Sequence, residues 1–371
     1  MKTPVKICHL TTVHVRYDTR IFVKECCGLA KNGYDVTLIV ADGQGDEEKN
    51  GVKIVDIGKP SGRIKRILTY HKKILKRALE VDAEVYHFHD PELLRSGSRL
   101  IKLGKTVVYD SHEDVPRQVL DKAYIPALFR KPLSRLIERF EDRIVAKLAG
   151  VVTVTPNLEN RFFKNNRNVV QVRNFPHLQE FETNASQNIT KENAVCYVGA
   201  ITKVRGILGM VDAMQYQNDT KLLLGGKFEN EALRNQTTSS KGWSNVQELG
   251  FLNREEVRNT LLKSKAGLVL LEPTQSYLDS IPVKMFEYMV AGIPVIASDF
   301  KYWRELIEEE NCALFVDPKD PKAISNAISL LIEDKRKAEQ MGQNGRKAVL
   351  EKFNWSKEEK KLMAFYERVR V

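Results

Sequence analysis

Glycine is missing where a dinucleotide-binding chain would need it. The apolar run at 5–12 reads as a buried first strand, and Thr11-Thr12-Val13-His14-Val15-Arg16-Tyr17-Asp18-Thr19-Arg20 closes it without one glycine. A Rossmann dinucleotide fold places G-x-G-x-x-G at that turn so that the backbone can approach a pyrophosphate, which argues against a nicotinamide or flavin enzyme. Cysteine is also scarce. The five (Cys8, Cys26, Cys27, Cys196 and Cys312) are odd in number and lack any C-x-x-C, which argues against a disulfide framework or zinc ribbon and for reduced thiols in the cytosol. Long apolar runs are absent too: none approaches the roughly 20 residues of a membrane span. Residues 1–6 lack the apolar stretch of a signal peptide, so a soluble cytoplasmic chain is expected.

What is present is an alternation of short apolar runs and amphipathic segments, over 371 residues. That length predicts two domains of about 180 residues each. Charge divides unevenly between them. Residues 1–180 hold 32 Lys and Arg against 22 Asp and Glu, and residues 181–371 hold 27 against 26. A basic first half beside a neutral second half suggests that one domain faces something anionic.

In the first half, strands are expected at 5–12, 35–41, 52–57, 84–89, 106–110 and 150–155. Asp18 is placed to cap a helix starting at Thr19, leaving His14, Arg16 and Arg20 clustered above the sheet edge. Residues 42–50 read as a turn-rich connection. A helix over 63–77 carries seven Lys and Arg, with Ile64, Ile67, Leu68, Ile74 and Leu75 apolar. It reads either as a surface for anionic lipid headgroups or as a helix with a lysine-rich solvent face. A second candidate over 128–147 is diluted by Glu138, Glu141 and Asp142. No nucleic-acid motif accompanies these charges, so nucleic acid is not an expected partner. Two strands end in His87-Phe88-His89-Asp90 and Asp110-Ser111-His112-Glu113. That chemistry could suggest a metal, but the spacing fits no standard zinc pattern and no metal is expected.

A polar linker spans 177–192, and a second series of strands follows at 194–198, 222–226, 246–251, 266–271, 294–297 and 313–316. Its centre is Asp279-Ser280-Ile281-Pro282-Val283-Lys284-Met285-Phe286-Glu287-Tyr288-Met289, running on to Ala291-Gly292-Ile293-Pro294-Val295. Ser280 is placed to cap a helix with Pro282 in its first turn, and Gly292 to stop it. Lys284 and Glu287, three apart, share a face away from Met285 and Met289. A lysine near a helix N-terminus suits a phosphate, and a carboxylate one turn on suits a sugar's vicinal hydroxyls.

These residues resemble the E-x7-E region of family 4 glycosyltransferases, with Asp279 standing where the family has its first Glu. The resemblance continues in other segments. Gly199-Ala200-Ile201-Thr202-Lys203-Val204-Arg205-Gly206 is similar to the family's G-R-x-x-x-x-K-G loop, with Ala200 in place of its first cation. His14 through Phe22 is similar to an H-x-x-x-D-T-R-I-F acceptor-side loop, and Asn174-Phe175-Pro176 to the interdomain turn.

The resemblance implies a GT-B fold of two facing Rossmann-like α/β domains with parallel sheets. These would be 1–176 for the acceptor and 193–355 for the nucleotide sugar, with 356–371 crossing back as a helix onto the first. It implies a retaining transferase that moves a sugar from a UDP- or GDP-linked donor to a glycan or lipid-linked acceptor, without metal or cofactor. Catalytic residues would be His112, Asp279 and Glu287. Gly199, Lys203, Arg205, Lys284 and Glu287 would bind the donor, and His14, Arg16, Arg20, Asp90 and Glu113 would lie on the acceptor side. A cytoplasmic enzyme building surface polysaccharide, peripheral on the inner face of the membrane through 63–77, would fit. An epimerase of the same fold and a non-catalytic nucleotide-sugar-binding subunit are the alternatives.

Overall fold

The computed structural model describes residues 4–122, 124–178 and 190–369. The chain divides into two compact units, Met1–Asn174 with Trp355–Val371, and Phe175–Asn354. Residues 179–189, most of the expected linker, lie outside the described residues.

The first unit is an eight-stranded sheet: β1 (Lys6–Leu10), β2 (Asp35–Val40), β3 (Glu47–Lys49), β4 (Val52–Asp56), β5 (Val85–Phe88), β6 (Thr106–Ser111), β7 (Gly150–Thr153) and β8 (Val169–Gln171), in the order β3-β4-β2-β1-β5-β6-β7-β8. Neighbours run parallel except β3 and β4. Strand residues alternate between two buried faces, which is why these segments read as unbroken apolar runs. Ile7, Val36, Leu38 and Val40 share one core with Leu362, Phe365 and Tyr366 of the final helix, Trp355–Val369. Cys8, Leu10, Ile39, Tyr86 and Phe88 share the other.

Two segments depart from expectation. Residues 42–50 contain β3, which folds back on β4 because Asn50 and Gly51 both adopt positive φ (53° and 76°) and close a two-residue hairpin. The expected helix over 63–77 is a short turn Arg63–Lys65, a π-type segment Arg66–Tyr70 and a helix His71–Val81. It buries Tyr70, Ile74 and Ala78 but leaves Ile64 76% exposed, so its apolar residues do not share one buried stripe.

The second unit is a six-stranded parallel sheet: β9 (Ala194–Val198), β10 (Lys221–Gly225), β11 (Val246–Gly250), β12 (Ala266–Val269), β13 (Val295–Ser298) and β14 (Ala313–Val316), in the order β11-β10-β9-β12-β13-β14. Strand order reverses direction at the β9–β12 pair, as it does at β1–β5 in the first unit. Connections there leave the sheet on opposite sides and open a crevice at the strand C-termini, where open α/β sheets bind ligands.

Candidate functional site

In the second unit the crevice is built by glycines and filled by cations. β9 leads into Gly199, whose φ of 140° excludes most side chains and whose N–H donates to Gly225 O at 2.9 Å. A turn at Lys203–Arg205 then closes on Gly206, φ 75°, where an added Cβ would lie 1.8 Å from Leu270 O. Only glycine lets this loop pack on β12, and the packing aims Arg205 inward beside Tyr197 and Tyr277. Lys203, in the same turn, is exposed.

Lys284 rises from the first turn of the helix Val283–Val290. The residue is half-buried, but its Nζ is sealed from solvent, has no hydrogen-bond partner and sits 3.7 Å from the centre of the Tyr197 ring. A Cβ added at Gly199 would lie 2.9 Å from this Nζ and 3.6 Å from Arg205 Nη1, so both cations border the same glycine. Burial, helped by the Arg205 charge and opposed by Glu287, lowers Lys284 from 10.5 to about 7. Glu287, one turn on, accepts from Arg254 Nη1 at 3.1 Å. Gly199, Arg205, Lys284 and Glu287 are thus brought together, and Lys203 points away.

Ser280 does not cap this helix. Its Oγ donates back to Tyr277 O, its carbonyl accepts from Trp303 Nε1 at 2.8 Å, and Pro282 occupies the cap position without a side-chain bond. A short helix, Gln275–Leu278, precedes it and ends at the half-buried Asp279. Tyr197, Tyr277 and Arg254 were not singled out in the sequence. Their aromatic and basic character alone carried no position.

The first unit gathers polar groups at the ends of β1, β5 and β6. Asp18 caps the helix beginning at Thr19 by accepting from the Arg20 and Ile21 N–H groups. The expected cluster of His14, Arg16 and Arg20 does not form. Arg16 turns to Asp42, Glu47 and Gly45 O, where it pins the 42–47 loop. Arg20 is buried and bonded in bidentate fashion to Asp110 and to Val172 O. A guanidinium taken out of water needs such fixed acceptors, and the strand ends supply them.

Asp90 replaces the glycine-rich turn as organiser of residues 11–13, accepting from Thr11 Oγ1, Thr12 N, Thr12 Oγ1 and Val13 N. His14 lies 3.5 Å from Asp90 and 3.6 Å from Asp18. Burial alone would lower His14, but these carboxylates outweigh it and raise the ring above 6.5. His112 Nε2 is 3.1 Å from Asp110 Oδ2, and its ring meets that of His14 edge-on at 5.3 Å. Burial opposes ionisation of Asp110, yet Arg20 and His112 hold it well below the usual carboxylate range. Glu113 is exposed and accepts from Gln118 Nε2, outside this group.

Two family models match in tandem, "Glycosyltransferase Family 4" over residues 20–174 and "Glycosyl transferases group 1" over residues 179–348. The MMP alpha-(1->4)-mannosyltransferase of Mycolicibacterium hassiacum is 20% identical over 76% of this chain and 70% of its own length. The phosphatidyl-myo-inositol mannosyltransferase of Mycobacterium leprae is 20% identical over 81% and 77%. An uncharacterized glycosyltransferase of Methanocaldococcus jannaschii is 26% identical over 47% of this chain and 45% of its own.

Among solved structures, sucrose-phosphate synthase from Thermosynechococcus elongatus superposes with a TM-score of 0.80 at 18% identity, covering 98% of this chain and 99% of that one. Anabaena HepE in complex with UDP and glucose superposes with a TM-score of 0.75 at 14% identity, covering 98% and 99%. With the fold shared over nearly the whole length and a glycosyltransferase model matching each half, the chain belongs to the family 4 glycosyltransferases of the GT-B fold.

Proposed function

We propose that this glycosyltransferase takes its sugar from a UDP- or GDP-linked donor held on the second unit, retains anomeric configuration, and passes the sugar to a glycan or lipid-linked acceptor without a catalytic metal. The observation that carries the reading is Lys284, an ammonium sealed from water, unpaired and close to a second cation, Arg205. Two cations in such a place destabilise the empty fold. A diphosphate would supply the missing counter-charge, and the charge that develops on it as the sugar leaves would be met by groups already in position.

Arg205 can engage the diphosphate through two parallel N–H bonds, Lys284 as a point charge. Glu287, held by Arg254, has the acceptor oxygens for two ribose hydroxyls. Asp279 retains the family's charge with one methylene less reach. His14 and His112, the rings of the first-unit group that solvent reaches, are the groups we assign to the reacting sugars.

A lipid-linked acceptor is favoured by the helix Ala127–Val145, which leaves Leu128 80% and Phe129 59% exposed among Arg130, Lys131 and Arg135. The Mycobacterium leprae relative is itself named for a phosphatidyl-myo-inositol acceptor. The epimerase and binding-subunit alternatives are not favoured, because the characterised relatives are named as transferases and synthases.

Thermal unfolding of the wild type and of Glu287→Ala, with UDP, GDP and their glucose and mannose conjugates, tests the donor site. A ligand that binds only the folded state raises the midpoint. UDP or GDP should stabilise the wild type and not the variant, and the sugar conjugate should release free nucleotide when acceptor is added. A wild type indifferent to the whole panel would remove the donor-site assignment.

A further inference from the structure

The end of β1 and the neighbouring β5 enclose a second constellation that transfer chemistry leaves unused. His9, His87, His89 and Glu25 are buried, and each offers a ligand atom within 4.8 Å of the others. The three rings pack with centroids 4.6 to 5.1 Å apart.

Their outward nitrogens are all engaged. Tyr366 Oη lies 2.6 Å from His87 Nδ1 and 3.2 Å from His9 Nε2, and Asp110 Oδ2 lies 3.5 Å from His89 Nδ1. That leaves His9 Nδ1, His89 Nε2 and His87 Nε2 for the interior. The first two are 2.9 Å apart, near the separation of about 3.3 Å expected for two ligands on a tetrahedral ion with bonds of about 2.0 Å. His87 Nε2 has no hydrogen-bond partner, and neither carboxylate oxygen of Glu25 makes an aligned hydrogen bond. Arg20 Nε comes within 3.1 Å of Glu25, but its hydrogen bond goes to Asp110. An unbonded ring nitrogen beside a buried carboxylate without an aligned hydrogen bond is costly unless something absent from the protein's own atoms satisfies them.

We propose that His9, His87, His89 and Glu25 bind a divalent transition-metal ion of the zinc class. Imidazole nitrogens suit zinc, cobalt and nickel, and the hydroxyl and carboxylate behind the rings are the outer partners that fix which nitrogen faces a metal. Burial keeps all three histidines neutral, His89 at about 4, so each has a lone pair to give. Glu25 is raised by burial and by Asp110, and an entering cation would displace its proton to solvent as it takes the carboxylate oxygen. Glu25 and Asp110 together carry two negative charges against the one positive charge of Arg20, so the group accommodates a dication. The ion would tie β1 and β5 to the helix Thr19–Cys26 and act as a staple for the first unit, apart from the donor site on the second.

The full chain, expressed in zinc- or cobalt-supplemented medium and passed through chelator-treated buffer, is analysed for metal by mass spectrometry and for the visible absorption of four-coordinate cobalt. One ion per chain is expected, with a fall in melting temperature when a strong chelator strips it. Glu25→Gln and His87→Gln should lose the ion. His112→Asn removes a ligand atom only from the neighbouring His89, Asp110 and His112 group, which shares His89 with this one, and it should keep the ion because all four proposed ligands remain. Because His87 and Glu25 are buried, their variants could unfold for packing reasons, so the wild-type metal content decides by itself. Wild type without metal or cobalt absorption means that ordered water fills the pocket and overturns the proposal. Loss of the ion in a folded His112→Asn moves it to the other group and overturns the assignment.

Discussion

Replacing Lys284 by methionine should make the protein more stable and unable to hold its donor. The ammonium is lowered from 10.5 to about 7, by burial first and by Arg205 second. At about 1.4 kcal/mol per tenfold change in proton affinity, that displacement corresponds to a destabilisation of about 5 kcal/mol for the charged form. The folded state disfavours the proton that the unfolded chain accepts, so stability rises with pH between about 7 and 10.5. Below this window the destabilisation is present in full, and above it the term vanishes.

Methionine fills similar space without the charge. Relative to wild type, it should therefore stabilise by about 5 kcal/mol near pH 6 and by only about 2 kcal/mol near pH 9, both upper limits because a real site relaxes. Denaturant unfolding followed by fluorescence reads this, since Trp243 and Trp303 lie in the second unit. The same variant should show no melting shift with UDP or GDP. Equal stability of the two proteins at both pH values, or a variant less stable near pH 6, would refute the claim that Lys284 is an uncompensated buried charge.

Other predictions rest on single contacts. Gly206→Ala forces a Cβ to 1.8 Å from Leu270 O at a φ of 75° and should destabilise the second unit by more than about 2 kcal/mol. An unchanged melting temperature would show that the loop does not pack as described. His14 should titrate above 6.5 by NMR, its charge supporting the native state at low pH and ceasing to do so as pH rises through the folded value. In Asp18→Asn that titration should move down, and a wild-type His14 below 6.5 would contradict the ion-pair geometry. Co-sedimentation with vesicles of anionic lipid should be weakened by salt and by replacing Leu128 and Phe129 together with serine. Binding insensitive to both changes would remove this face as the membrane contact.

The parts of the molecule legible from sequence are those set by local pattern. Buried parallel strands read as apolar runs, Asp18 caps its helix, and Lys284 and Glu287 share a face because they are three apart. What escaped reading depends on partners distant in the chain. Arg16 and Arg20 read as clustered with His14 above the sheet edge, but the fold delivers Asp42 and Glu47 to one and Asp110 to the other. Ser280 had the right residue type for a cap, yet the short helix Gln275–Leu278 drew its hydroxyl backward. The hairpin at Asn50-Gly51 carried a local signal that the acidic residues around it obscured. His9 lay inside an apolar run and gave no hint of chemistry until β5 was set beside β1.

Gross charge and buried charge point to opposite halves of this chain. Residues 1–180 carry the excess of lysine and arginine, and yet two inward-facing guanidiniums of that half are neutralised from within, Arg20 by Asp110 and Arg161 by Glu141. The nearly neutral second half instead seals an unpaired Lys284 beside Arg205 and commits its nearest carboxylate, Glu287, to Arg254. Surface charge is screened within about 10 Å at ordinary salt, so it attracts without holding a ligand in register. A desolvated cation holds whatever neutralises it, and does so more strongly because the empty site is destabilised. On this argument the basic surface of the first half governs what the protein approaches, and the two cations of the second half govern what it binds.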